Sequence, residues 1–456
     1  MIDIFTITSI ISLVVLGRYW AFISKNRYIN WFTWSAAIFA PIGAILFRMG
    51  ILVPDYALSL IDDESAQVYV VCFQIFILGT IVGSLILTMP SLRFQQHRGV
   101  TKVVANPLKG LAEREWSIPS AWLAYVAALV LSYAMGIVRF GSPLYFISAD
   151  GSAFANSREL AQGMWFVLIL SLFFVIPASI LMGVLVKYNR PFQFVLVAGS
   201  AIVATITIGM TPVRTQTLAL AAAAFAISRP FWKPMLFKIA AVSCAPVAIL
   251  LMVALNIVRQ GLAFDKFSFD TETTLLSLNP VINAIILVNS NYNDYFYFST
   301  TLISMTPIVL IPSAIFPWKN YQDLQAFVTD VIFPELPRKY FSEGSVLTYT
   351  FVGGSYVNMG YVGLFVGGAL WAVQIYIIMK LLNSEYPVKA LAILLCITSA
   401  VSFRTSIESM FITIQLYTYS MLIIRFLCVK SRRVDSISRL GNDGLKVGGR
   451  FDRKRL

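Results

Sequence analysis

The chain has 456 residues, of which 58% are hydrophobic and only 12% charged, and its mean hydropathy is +0.76. A soluble domain carries about 25% charged residues, so a soluble globular fold is excluded and a chain that crosses a lipid bilayer many times is expected. The formal charge of +13 would suit nucleic acid in a soluble protein; here the charge divides by side of the membrane, so no nucleic-acid partner is expected.

About eleven spans are expected, giving an all-α, polytopic membrane protein. The first covers about Ile4–Gly17 and is followed by Arg18, Lys25 and Arg27, the pattern of an uncleaved anchor with its N-terminus outside. Alone it is short for a span, and Arg18–Trp20 would lengthen it. Spans two and three are about Ile29–Phe47 and Val68–Met89, separated by an acidic outer segment with Asp55, Asp62, Asp63 and Glu64. A basic loop from Arg93 to Arg114 precedes span four, about Pro119–Val138. Spans five to eight are about Met164–Val186, Phe192–Ile208, Thr215–Ile227 and Phe237–Ile257. Residues 1–258 therefore form the first transmembrane unit.

Residues 259–357 form one large outer loop, polar and rich in proline. Within it, Leu275–Val288 and Thr300–Ile315 are apolar, the latter broken by Pro307 and Pro312. Both are expected to lie at the interface or dip into the membrane, because interrupted backbone needs protein or water around it. Residues 358–428 hold spans nine to eleven, about Met359–Met379, Val388–Val401 and Met410–Leu427. Residues 429–456 are a basic cytoplasmic tail.

With this topology most of the 35 Lys and Arg lie inside, as the positive-inside bias requires. That bias does not account for Arg48, Arg139, Arg158, Arg214, Arg259, Arg338 and Arg404, which face outward near helix mouths. A set of outward guanidinium groups suits a lipid bearing phosphate or carboxylate. The single His97 lies in the inner basic loop. Cys72, Cys244, Cys396 and Cys428 all lie in apolar runs and form neither a disulfide framework nor a zinc pattern. No metal site and no cofactor is expected; Asp62-Asp63-Glu64 is an ordinary acidic loop.

Individual motifs refine the picture. Arg48 and Arg139 end apolar runs, where snorkelling to the headgroups competes with a substrate role. Arg214 follows Pro212 in a very short break between spans six and seven, at the outer start of a helix. Phe403-Arg404-Thr405-Ser406-Ile407-Glu408 opens the last span; if helical, Arg404 and Glu408 lie one turn apart on one face, as a salt bridge or as an anion holder with its carboxylate. Arg259 opens the outer loop. Asn291, Asp294 and Tyr295 belong to an aromatic and amide stretch able to stack on sugars, or to an interfacial aromatic belt. Glu343 begins Glu343-Gly344-Ser345. The run Gly353, Gly354, Gly360, Gly363, Gly367 and Gly368 is not in a strand–turn–helix setting, so it reads as close helix packing.

Four places resemble the bacterial O-antigen or oligosaccharide repeat-unit polymerases of the Wzy type. They are the turn at Arg214, the block Ile311-Pro312-Ser313 to Phe316-Pro317-Trp318, the stretch from Gly344 through Gly354-Ser355-Tyr356 and Asn358 to Gly363, and Phe403-Arg404. The chain departs from the family pattern at Thr211-Pro212-Val213 and at Trp318-Lys319. The resemblance implies a glycosyltransferase at the outer face of the bacterial inner membrane. It would join repeat units carried on undecaprenyl diphosphate, with a chain-length regulator as a conceivable further partner. It implies charge stabilisation by Arg214, Arg259 and Arg404, general-base candidates in Glu408, Glu343 and Asp294, and substrate contacts at Arg139, Asn291, Tyr295 and Tyr356. An O-antigen ligase shares this plan but typically uses a His in the outer loop, whereas His97 is inside. A lipid-linked oligosaccharide flippase would show two similar halves and central charges.

Overall fold

The computed structural model describes residues 4–51, 61–97, 118–140, 280–290, 304–310, 349–383, 388–404 and 407–428, with a few isolated positions besides. All its regular elements are helical. They are α1 (Ile4–Ser24), α2 (Asn30–Ala37), α3 (Gly43–Arg48), α4 (Asp63–His97), α5 (Ile118–Phe140), α6 (Pro280–Asn289), α7 (Phe351–Val357), α8 (Gly360–Leu382), α9 (Val388–Ser402) and α10 (Ile407–Cys428). A 3-10 turn at Arg27–Ile29 leads into α2, and a π turn at Ile38–Ile42 joins α2 to α3 around Pro41. Arg27–Arg48 is thus one helical crossing with a widened middle.

Four of the described helices are long and apolar enough to cross a membrane: Ile4–Ser24, Arg27–Arg48, Asp63–Met89 and Gly360–Leu382. The first is longer than the apolar run alone suggests, because Arg18 to Ser24 continue the helix. Its burial pattern suits lipid. Thr6, Ser9, Gly17 and Ser24 face inward, while Ile4, Ile7, Ile11, Val14, Val15 and Phe22 are exposed. In water that arrangement would be penalised; in hydrocarbon the polar groups must turn to the protein.

Side-chain hydrogen bonds fix the direction of α1 against α4. Gln74 Nε2 donates to Phe5 O at 3.0 Å and to Thr8 Oγ1 at 2.7 Å. Further along, Trp20 Nε1 donates to Ser84 Oγ at 3.1 Å, and the Tyr19 and Thr88 hydroxyls pair at 2.6 Å. The two helices therefore run parallel. Each such interhelical bond contributes about 0.6 kcal/mol on average.

Among the described helices α4 and α8 pack most closely, and glycine makes it so. A Cβ on Gly79 would collide with the Phe365 carbonyl, and one on Gly368 with the Phe76 carbonyl. Gly83 lies against Ala369, so α4 and α8 also run parallel. Gly363 and Gly367 receive α7 at Ser355. The glycine run is therefore a packing surface. Between α7 and α8 the chain reverses at Met359 and Gly360, both with positive φ (119° and 62°); Gly360 takes this freely, and Met359 is held there against its steric preference.

The apolar stretch near Leu275–Val288 becomes α6, and every residue from Pro280 to Val288 is buried. An interfacial helix would keep one wet face. This one is enclosed by α4, α3 and α7, with Val281 against Gly43 and Ala284 against Gly353. A helix apolar all round is a core helix. The second stretch is described in part, as the 3-10 turn Pro307–Leu310.

Asp62 caps α4. Its carboxylate accepts from Ser65 N–H at 2.9 Å and from the Ser65 hydroxyl at 2.7 Å. These bonds hold the carboxyl below its ordinary value of 3.8, the Ser65 N–H contributing most. The folded pKa is depressed, so the cap stabilises above that ordinary value and is lost as pH falls through the folded pKa. Asp62→Ala should melt below the wild type at neutral pH in detergent, and the two curves should converge as the pH falls below about 4. A gap that persists unchanged in acid would exclude the charge-dependent cap.

Candidate functional site

Arg404 is the described residue around which a site can be built. Its depth follows from ring contacts. Phe76 is the middle residue of Asp63–Met89 and Trp371 that of Gly360–Leu382, and their rings are 5.5 Å apart. Phe403 lies 5.2 Å from Trp371 and 5.9 Å from Phe76. On the other side, the Ser35 hydroxyl donates to Ala400 O and Cys396 Sγ to Tyr28 O, so α9 runs alongside α2 and stops near the middle of Arg27–Arg48. The turn Phe403–Arg404 therefore sits halfway through the bundle. The sequence places Arg404 at an outer helix mouth; the structure sets it at mid-depth.

A second break meets the first there. Thr350 caps α7, and its hydroxyl pairs with the Tyr69 hydroxyl at 2.9 Å; Tyr69 also donates to Phe39 O at 3.1 Å. Phe351 N–H donates to Phe403 O at 2.9 Å, and the two rings stack with centroids 5.6 Å apart. The end of α9 and the start of α7 thus abut, two helical pieces from distant parts of the chain forming one interrupted crossing. Interrupted backbone at this depth needs protein or a water-lined cavity around it.

Beside this junction Arg404 is part-buried, and its Nε is enclosed with no hydrogen-bond partner among the described residues. A guanidinium carries five donors and keeps its charge, so an enclosed unpaired donor is costly unless an anion meets it. Arg404 lies in a turn ahead of α10, so the one-turn helical spacing to Glu408 does not apply. Glu408 is in the first turn of α10 and Arg139 in the last turn of α5; their side chains lie outside the described residues.

The other candidates divide. Tyr356 is buried in α7, its ring edge-on to Tyr361 at 5.8 Å. Arg48 Nη2 donates to the Asp63 carbonyl at 3.1 Å, tying the end of α3 to the start of α4. Arg214, Arg259, Glu343, Asn291, Asp294 and Tyr295 lie outside the described residues. Among the described residues no group of three or more His, Cys, Asp or Glu gathers as a metal site would. Gln374 on α8 and Ser399 on α9, which no sequence motif marks, are both buried without partners among the described residues. Gln374 carried a signal: it is the one amide in Gly360–Leu382.

These features define the class: a helical membrane protein with an interrupted crossing and a part-buried arginine at its middle. No family model, no curated protein and no solved structure matches the chain.

Proposed function

We propose that this protein is a membrane glycosyltransferase that joins undecaprenyl-diphosphate-linked oligosaccharide repeat units into a surface polysaccharide. It works at the outer face of the bacterial inner membrane, with its N-terminus outside and its C-terminus cytoplasmic. The observation that carries this reading is Arg404, a guanidinium at a helix break whose enclosed Nε has no partner among the described residues. The resemblance in the outer loop and the bias of basic residues support it.

The chemistry follows from the donor. The acceptor hydroxyl attacks the anomeric carbon, a new glycosidic C–O bond forms, and the bond to the diphosphate breaks. The diphosphate leaves with the electron pair, and Arg404, with Arg214 and Arg259, stabilises its charge. The hydroxyl proton passes to a carboxylate, for which Glu408, Glu343 and Asp294 are the candidates. The sugar arrives on a lipid, so no nucleotide-binding unit is needed. A chain-length regulator is a compatible partner.

A second reading is a flippase for the same lipid-linked units. The meeting of two helix ends at half-depth favours it, because transporters place substrate groups at such breaks. A deletion strain separates the two. Loss of the polymerase leaves single repeat units on the surface acceptor and removes the ladder of longer chains. Loss of a flippase removes the single units as well. A full ladder, in a strain with no second polymerase gene, would refute the polymerase.

A further inference from the structure

We propose that the break at Phe403–Arg404 opens a water-filled recess that continues past the middle of the bundle to Gln374 and Ser399. The inference goes beyond the proposed activity and does not depend on it.

Four side chains carry the argument. Gln374 is 4% exposed, and neither its Oε1 nor its Nε2 has a hydrogen-bond partner among the described residues. Ser399 Oγ, Trp371 Nε1 and Arg404 Nε are likewise enclosed and unpartnered. They occupy adjoining levels. The Trp371 ring meets that of Phe403, and a short connection makes α8 and α9 antiparallel neighbours. One turn on from that contact, Gln374 on α8 comes level with Ser399 on α9.

Several polar side chains on neighbouring levels find partners: Thr80 donates to Phe76 O at 2.9 Å, Thr398 to Leu394 O at 2.8 Å, and Trp20 to Ser84. Asn30 Oδ1, Gln415 Oε1 and Ser420 Oγ are single unpartnered atoms on α2 and α10, whereas the layer beneath Arg404 gathers four such side chains. Buried polar groups in folded proteins are paired with protein or with water, and a buried water typically makes two to four such bonds. An amide, a hydroxyl, an indole N–H and a guanidinium together offer both donors and acceptors. That set holds water, and it lies directly below a backbone break of the kind that lines aqueous cavities. The guest is water, together with whatever small hydrophilic group follows it in. Dry apolar packing would leave all four residues unpaired.

The test uses the full chain in membrane vesicles, with Cys72, Cys244, Cys396 and Cys428 replaced by Ala. Ser399→Cys is nearly isosteric, and Leu395→Cys, at a buried apolar position on the same helix, is its control. The probe is a small anionic methanethiosulfonate. It reacts with thiolate, which forms in water and is suppressed in apolar surroundings, so Ser399→Cys should react at least about tenfold faster than Leu395→Cys. Equal rates overturn the proposal. Gln374→Leu gives an independent measure. In a dry seam it removes an unpaired amide and raises the melting temperature, which would overturn the proposal. In a wet recess it displaces bound water, the melting temperature stays level or falls, and Ser399→Cys labelling slows. Neither readout involves the glycan, so this proposal and the polymerase assignment can fail separately.

Discussion

Replacing Arg404 with Met should leave the protein folded and remove its polymer. The side chain has an enclosed Nε without a partner among the described residues, so the fold draws little from its charge. Taking away one member of a buried ion pair destabilises strongly, but here the side chain leaves no protein partner stranded and water in the recess takes its place. The melting temperature of Arg404→Met should therefore stay close to the wild type. Function should not survive the change. Loss of one donor that stabilises leaving-group charge costs about 2.7–4 kcal/mol of barrier, or roughly 100- to 1000-fold in rate. Lys should substitute poorly, because a point charge lacks the planar fork that meets a diphosphate with two parallel bonds. Arg48→Lys is the comparison: Arg48 donates to the Asp63 carbonyl, a contact an ammonium can reproduce. Polymer amount and ladder length would be measured at matched membrane levels. A normal ladder from Arg404→Lys rejects the bidentate role. Loss of Arg404→Met from the membrane would assign the residue to the fold.

The depth of Arg404 is not what the sequence suggests, since its place before the last span reads as an outer helix mouth. The structure shows why: α9 has 15 residues, and a helix of that length is about 22 Å long, short of a hydrocarbon core of about 30 Å. What the sequence withholds is the partner: nothing local says that Phe351 N–H will meet Phe403 O, since that contact joins segments far apart in the chain. The glycine run was legible as packing because small residues at helical spacing let backbones approach. α6 was legible as apolar, but its burial on all sides depends on Gly43 and Gly353 making room for Val281 and Ala284. Of the expected spans, the apolar runs Ile29–Phe47, Val68–Met89 and Met359–Met379 correspond to helices long and apolar enough to cross, and Ile4–Gly17 does so once Arg18 to Ser24 extend it. Gln374 and Ser399 carry no local signal of their surroundings, because one amide or hydroxyl in a span is ordinary until its neighbours prove to lack a bond for it.

The bundle itself should fail first at glycine. A Cβ at Gly368 would overlap the Phe76 carbonyl, and a Cβ at Gly79 would overlap the Phe365 carbonyl. Both obstacles are backbone, so no rotamer change relieves them and α4 must move away from α8. Overpacking of this kind costs about 1–3 kcal/mol, occasionally more. The displacement would also part Phe76 from Trp371 and so loosen the contacts that hold Phe403 at mid-depth. Gly83 is the internal control, since its added Cβ would stand 3.1 Å from Ala369, where a shift of a few tenths of an ångström suffices. Gly368→Ala and Gly79→Ala should therefore melt well below Gly83→Ala in detergent, and Gly368→Val should fail to accumulate in the membrane. Function should fall with stability in these variants, unlike Arg404→Met, where the two should separate. Equal melting temperatures for Gly368→Ala and Gly83→Ala would mean that α4 and α8 do not approach as closely as their backbones indicate.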